Sequence, residues 1–292
     1  MRTETEIRTQ IEAFFDPTTA TVSYLVWSDA SGAAAIIDSV LDYDPVAVRT
    51  RTDSADALLA AADARGLSIA WILETHAHAD HLSAAAYLKE KTGARVGIGA
   101  CISDVQSTFA SLFAASDVVP DGSAFDQLFA DGDTFMIGDL EARVLHTPGH
   151  TPACVAYIIG DAVFVGDTLF QPDFGTARCD FPGGDAATLY RSIQKILSLP
   201  DDMRVFVGHD YLPKGRTEFA WESTVAEQRA ENIHVGGGRS EAAFVKMRTE
   251  RDATLTPPKL ILPSMQINIR AGELPPKQAD GRSYMQIPVN TF

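Results

Sequence analysis

Short apolar runs separated by turn residues dominate the first hundred positions of the chain. Thr21–Trp27 and Ala33–Ile37 are β-rich and flank the polar stretch Ser28-Asp29-Ala30-Ser31-Gly32, a pattern that predicts a hairpin. Upstream, Ile7, Ile11 and Phe14 recur at roughly helical spacing, so residues 1–16 read as a lead-in with helical periodicity. Residues 53–66 give an alanine-rich amphipathic helix stopped by Gly66, and 82–92 a second helix stopped by Gly93. Between them Ser68–Leu73 is a short apolar strand, and Arg95–Gly99 is the next one. The order strand, helix, strand, helix, strand is that of a layered α/β fold.

Residues 102–132 read as irregular or helical and are expected to cover the mouth of a site. Two further hairpins follow, 135–137 with 141–146 turning at Gly138-Asp139, and 155–159 with 162–165 turning at Gly160-Asp161. Residues 186–199 form a helical pattern, 205–207 a short strand, and 218–231 and 241–252 two more helices. The last forty residues carry Pro257, Pro258, Pro263, Pro275 and Pro276 and read as extended and irregular. The expected organisation is a core over 1–214, with C-terminal helices and a proline-rich tail over 215–292 packed on it.

Chemistry enters at the carboxyl end of the strand Ser68–Leu73, in the run Thr75-His76-Ala77-His78-Ala79-Asp80-His81. His76 and His78 alternate and so point to one side of an extended segment. Asp80 and His81 follow where the chain turns into a helix, and the intervening alanines leave room for the four side chains to converge. Ligand-type residues at this density are the mark of a bound metal. Three more lie at strand ends beside glycine: His150 in Thr147-Pro148-Gly149-His150-Thr151, Asp167 in Val165-Gly166-Asp167-Thr168, and His209 in Val207-Gly208-His209-Asp210-Tyr211. A neighbouring glycine lets the backbone bring a ligand close to a shared centre. Asp210 reads as a structural companion, and His146 and His234 as ordinary histidines.

Net charge narrows the partners. At −15 over 292 residues the chain repels polyanions, which argues against nucleic acid and against the nuclease class. A small anionic substrate would need a local group of arginines or lysines acting against this field. No apolar run is long enough to span a bilayer, so no membrane partner is expected. Glu4 and Glu6 near the N-terminus fit neither a secretory signal nor a mitochondrial transit segment. Cys101, Cys154 and Cys179 are odd in number and far apart, which suits a reducing cytoplasm, and they read as apolar fillers.

The run His76 to His81, followed in order by His150, Asp167 and His209, resembles the metallo-β-lactamase superfamily. The resemblance covers roughly residues 21–211. It implies an α/β fold, a four-layer αββα sandwich of two mixed sheets with flanking helices, and a metal site at one edge. In the dinuclear hydrolases of that superfamily His76, His78 and His150 would hold one metal, Asp80, His81 and His209 the other, and Asp167 would bridge them. The stretch from Asp167 through Phe170, Phe174 and Arg178 to Phe181 resembles more closely the bacterial persulfide dioxygenases, as do Thr151-Pro152-Ala153-Cys154, Gly208-His209-Asp210-Tyr211 and the proline-rich tail.

Two reactions follow from these resemblances. The first is oxidation of glutathione persulfide by O₂ to sulfite and glutathione at one Fe(II) held by His76, His150 and Asp167. His78, Asp80, His81 and His209 would then form a surrounding shell or a second metal site. The second is thioester hydrolysis by two zinc ions, as in glyoxalase II. Glutathione carries carboxylates, so Arg178, Lys214 and Arg216 are candidate anchors, with Tyr211 presenting a hydroxyl to substrate. Phe170, Phe174 and Phe181 either wall the pocket or fill the core. A homodimer is expected on the resemblance.

Overall fold

The computed structural model describes residues 9–290. Two six-stranded sheets lie face to face. The first runs in spatial order Gln10–Asp16, Thr21–Trp27, Ala33–Ile37, Ser68–Leu73, Arg95–Gly99 and Gln127–Phe129. Its first three strands pair antiparallel and the remaining junctions are parallel, so the sheet is mixed. The second runs Thr134–Ile137, Leu140–His146, Val155–Ile159, Ala162–Phe164, Arg204–Phe206 and Glu222–Thr224, with a single parallel junction between Ala162–Phe164 and Arg204–Phe206.

Side-chain alternation along each strand builds the layers. Ala35 and Ile37 face the core between the sheets, whereas Ala34 and Ile36 face outward onto helices Asp53–Ala64, Ala85–Thr92, Ile102–Leu112 and Ile261–Asn268. In the second sheet Tyr157 and Ile159 face inward, and Ala156 and Ile158 pack against helices Ala186–Leu197, Val225–Glu231 and Glu241–Asp252. The result is the expected αββα sandwich. Strands buried on both faces must be apolar at nearly every position, which is why Thr21–Trp27 and Ala33–Ile37 read as continuous runs. Each large aliphatic in these layers, such as the fully buried Ile36, contributes about 1.5–3 kcal/mol.

Four local expectations are corrected. The lead-in is a strand over Gln10–Asp16, paired with Thr21–Trp27, and Ile7 lies outside the described residues. The second helix starts at Ala85, because Leu82–Ser83 pairs with Val40–Asp44 in a small three-stranded sheet. The helix expected from 218 begins only at Val225: Glu222–Thr224 completes the second sheet, and Thr224 forms a capping box with Glu227. The tail is not irregular throughout, since Ile261–Asn268 is a helix. Pro263 is its third residue, where the missing N–H has no intrahelical partner to lose. No helix among the described residues is long and apolar enough to cross a membrane.

Candidate metal centre

All the ligand-type residues singled out by sequence lie at the carboxyl ends of strands, on one edge of the sandwich. His76 to His81 follow Ser68–Leu73, His150 follows Leu140–His146, Asp167 follows Ala162–Phe164, and His209 follows Arg204–Phe206. Glycine permits the convergence. A Cβ on Gly208 would stand 2.9 Å from Asp167 Oδ1, and one on Gly166, which has φ +50°, would stand 2.4 Å from Thr75 Oγ1.

Two compact groups result around Asp167, and a third gathers Asp38, Glu74 and His78. One ligand atom from each of His76, His150 and Asp167 lies within 4.8 Å of the others, and the same holds for His78, Asp80 and His209. Asp167 reaches both groups: Oδ2 is 3.9 Å from His76 Nε2 and 3.7 Å from His150 Nε2, while Oδ1 is 3.2 Å from His209 Nε2. The dinuclear hydrolases imply a division in which His78 joins His76 and His150; here its ring lies 4.0 Å from that of His76 and 4.2 Å from that of His81, beside both groups. His78 turns Nε2 to Asp38 Oδ1 at 3.1 Å and Glu74 Oε2 at 3.3 Å, which leaves its Nδ1 for the centre. His81 lies beside the second group, its ring 4.2 Å from that of His78.

The donor set fits a metal. His76 Nε2, His78 Nδ1, His81 Nε2, His209 Nε2, Asp80 Oδ2 and Asp167 Oδ1 are buried without a hydrogen-bond partner. A buried polar atom left unpaired costs about 1–3 kcal/mol. His76 Nε2, His78 Nδ1 and His81 Nε2 meet no partner, and His209 Nε2 meets only Asp80 Oδ2 and Asp167 Oδ1, each at 3.2 Å, so a metal at this place would satisfy the whole set. The opposite ring nitrogens are held in place. His76 Nδ1 lies 3.0 Å from Thr75 Oγ1, His150 Nδ1 donates to the Arg178 carbonyl at 2.8 Å, and His81 Nδ1 to the Leu82 carbonyl at 3.1 Å. Such contacts fix which nitrogen faces the centre.

Electrostatics sorts the histidines. Burial, reinforced by the neighbouring imidazoles, pushes His76 well below its ordinary pKa, and burial lowers His81 to about 4. Both are therefore neutral and free to ligate. Burial also opposes charge on His78 and His209, but carboxylates outweigh it: Asp38 and Glu74 raise His78, and Asp167 and Asp80 raise His209.

Three residues that hold the loop were missed in the sequence. Asp38, at φ +51° just after Ala33–Ile37, accepts the Thr75 N–H at 2.7 Å, the Thr75 hydroxyl at 2.8 Å and the His78 ring N–H. Glu74 accepts from Ser83 Oγ at 2.6 Å. Asn268 donates to the carbonyls of His78 at 2.7 Å and His81 at 2.8 Å and accepts the Ser83 N–H at 2.8 Å. Asn268→Ala would leave two buried carbonyls and an N–H unpaired. It is expected to weaken metal affinity by roughly ten- to a hundredfold, read by competition against a chelating dye. Unchanged affinity would show that the loop holds its shape without this clamp.

The centre opens into a pocket of about 200 Å³ walled by Phe170, Phe174, Phe181 and Tyr211. Tyr211 stacks on His209 with ring centroids 5.5 Å apart; it is 43% exposed, and the part that is buried, with Asp80 and Asp167 nearby, raises its phenol above its ordinary pKa. Residues 102–132 flank the mouth instead of covering it. Thr108, Ser111 and Leu112 line an adjoining cavity of about 500 Å³ that shares Arg178 and Phe181 with the first.

The expected anchors fare differently. Arg178 lines the pocket, but Nε and Nη2 donate to Asp180 at 2.6 Å and Nη1 to the Thr256 carbonyl at 2.7 Å. Lys214 is exposed in a turn and does not line the pocket. Arg216 is bound to buried Asp210, with Nη1 donating at 2.6 Å, and to Asp173 at 2.9 Å, so it braces two loops. Cys179 and Cys154 are buried. Burial pushes the Cys154 thiol up to about 12 and raises that of Cys179 further, so neither is a thiolate at neutral pH. His146 Nε2 donates to the Pro152 carbonyl of its own loop at 2.8 Å, and His234 Nδ1 accepts the Thr176 N–H at 3.0 Å.

A four-layer αββα sandwich with such a histidine–aspartate centre at one edge defines a class, and the chain belongs to the metallo-β-lactamase superfamily, whose family model matches residues 16–209. Among its relatives, a probable metallo-hydrolase of Burkholderia pseudomallei is 53% identical over 97% of this chain and 99% of its own length. The human mitochondrial persulfide dioxygenase ETHE1 is 31% identical over 90% of this chain and 88% of its own. The crystal structure of ETHE1 from Myxococcus xanthus superposes with a TM-score of 0.72 at 30% identity, covering 90% of this chain and all of that one.

Proposed function

We propose that the chain is a persulfide dioxygenase that oxidises glutathione persulfide with O₂ to sulfite and glutathione at one Fe(II) held by His76, His150 and Asp167. The observation that carries this reading is that these three ligand atoms lie within 4.8 Å of one another at the floor of the pocket. Two histidines and one carboxylate form a face that leaves coordination positions open, and iron bound there supplies the redox chemistry that brings O₂ and a soft sulfur anion together. The likeness to ETHE1 proteins supports the same choice.

On this reading the protein's own groups orient and enclose. His150 is aimed by the Arg178 carbonyl, and His76 by Thr75. The phenyl rings of Phe170, Phe174 and Phe181 wall the space above the sulfur while leaving room for the one water whose oxygen, with the two of O₂, completes sulfite, and the Tyr211 hydroxyl donates a hydrogen bond to the substrate. Asp38 and Glu74 hold His78 against the wall of the site.

A second reading, a dinuclear zinc thioester hydrolase, is favoured by one specific feature: the Asp167 carboxylate reaches the His78–Asp80–His209 group as well as the first. The metallo-hydrolase relative points the same way. Metal analysis of anaerobically purified protein, paired with oxygen uptake on glutathione persulfide, separates the two. One iron per chain and stoichiometric oxygen consumption are expected. Two zinc ions, thioester cleavage and no oxygen uptake would establish the hydrolase instead.

A further inference from the structure

Three arginines line the pocket above the centre: Arg178, Arg248 and Arg251. Two already have their charge matched. Arg178 forks onto Asp180, and Arg248, which is buried, pairs with Asp252 through Nε at 2.9 Å and gives Nη1 to the Thr176 carbonyl. Asp252 in turn accepts the Cys179 N–H at 2.8 Å, so helix Glu241–Asp252 pins the loop that walls the pocket. Arg251, in the last turn of the same helix, is exposed, and its guanidinium has neither ion pair nor hydrogen bond among the described residues. A cation near a helix C-terminus is favoured by the helix dipole. That accounts for its charge but not for its facing the pocket.

We infer that Arg251 is the anchor for a carboxylate on the carrier of the reacting sulfur, so the pocket selects persulfides borne on a thiol with a free carboxylate. This deepens the reading above, in which the sulfur sits at the pocket floor. With Arg178 and Arg248 already committed, Arg251 offers the bidentate edge that a carboxylate takes. In a chain of net charge −15, an unmatched guanidinium at the mouth sets the local sign that admits an anion.

The test uses the full chain loaded with its metal and needs no turnover. Glutathione and its diethyl ester, which lacks free carboxylates, are titrated by calorimetry into wild type, Arg251→Ala and Arg251→Lys. Glutathione binding is expected to weaken roughly tenfold in Arg251→Ala and by less in Arg251→Lys, with the ester bound equally by all three. Equal loss for both ligands, no loss for glutathione, or no glutathione binding by the wild type overturns the assignment. Oxygen uptake is scored separately. Carboxylate-dependent binding without oxygen consumption keeps Arg251 as the anchor and removes the dioxygenase reading, whereas oxygen consumption with an unaffected Arg251→Ala does the reverse.

Discussion

His150→Ala is expected to strip the protein of its metal on dialysis and to lower turnover by roughly a thousandfold. The imidazole is one of only two histidines in the group with Asp167, and its Nδ1 is already fixed by the Arg178 carbonyl. Alanine therefore removes a pre-aimed ligand. Losing an outer partner of a ligand costs ten- to a hundredfold, and losing the ligand itself costs more. The informative control is Arg178→Ala. Because His150 is held by the backbone carbonyl at 178 and not by the guanidinium, this variant should keep its metal while turnover falls. Metal content by mass spectrometry and initial rates check both, and a fully metallated, active His150→Ala would remove His150 from the centre.

Asp38→Ala should do the greatest damage to stability. Its carboxylate is buried, and burial opposes its charge, yet His78 and the two Thr75 donors hold its pKa below the usual carboxylate range. Removing it leaves the buried Thr75 N–H unpaired, the Thr75 hydroxyl with His76 alone and the His78 ring with Glu74 alone. Breaking a buried pair in this way costs about 3–5 kcal/mol. In a chain of this size that lowers Tm on the order of 10 °C. Asp38→Asn, which keeps an acceptor, should lose less. Both are measured by scanning calorimetry on the metal-free protein, so that weakened metal binding is not counted as lost folding stability. A metal-free Tm equal to that of wild type would mean that His78 and Thr75 find other partners.

Where the sequence reading succeeded, one physical signal dominated. Strands buried on both faces are apolar throughout, and ligand histidines at their ends stand out against them. Asp38 failed to stand out for the converse reason. A single aspartate after an apolar strand is the ordinary composition of a turn, and only the parallel pairing of Ala33–Ile37 with Ser68–Leu73 sets it beside Thr75 and His78. Residues 10–16 show how period can mislead. Ile11, Ala13 and Phe15 face the inter-sheet core and Phe14 the outer one, a two-residue alternation hidden by apolar residues on both faces. In the tail, Pro263 falls in the first turn of helix Ile261–Asn268, where a proline is compatible with a helix, so a high proline content hides that helix. The Thr224-Val225-Ala226-Glu227 capping signature was present in the sequence and would have set the start of helix Val225–Glu231.

The Asn268 clamp also bears on how the protein is made. Its amide closes onto carbonyls 190 and 187 positions earlier in the chain. During synthesis, at about 5–20 residues per second, the sheets that present His76, His150, Asp167 and His209 emerge several seconds before residue 268 does. An ion captured in that interval meets a loop whose two carbonyls are still uncapped. The order of emergence thus gives the nascent chain a period in which metals can exchange before the last helix docks and fixes the coordination.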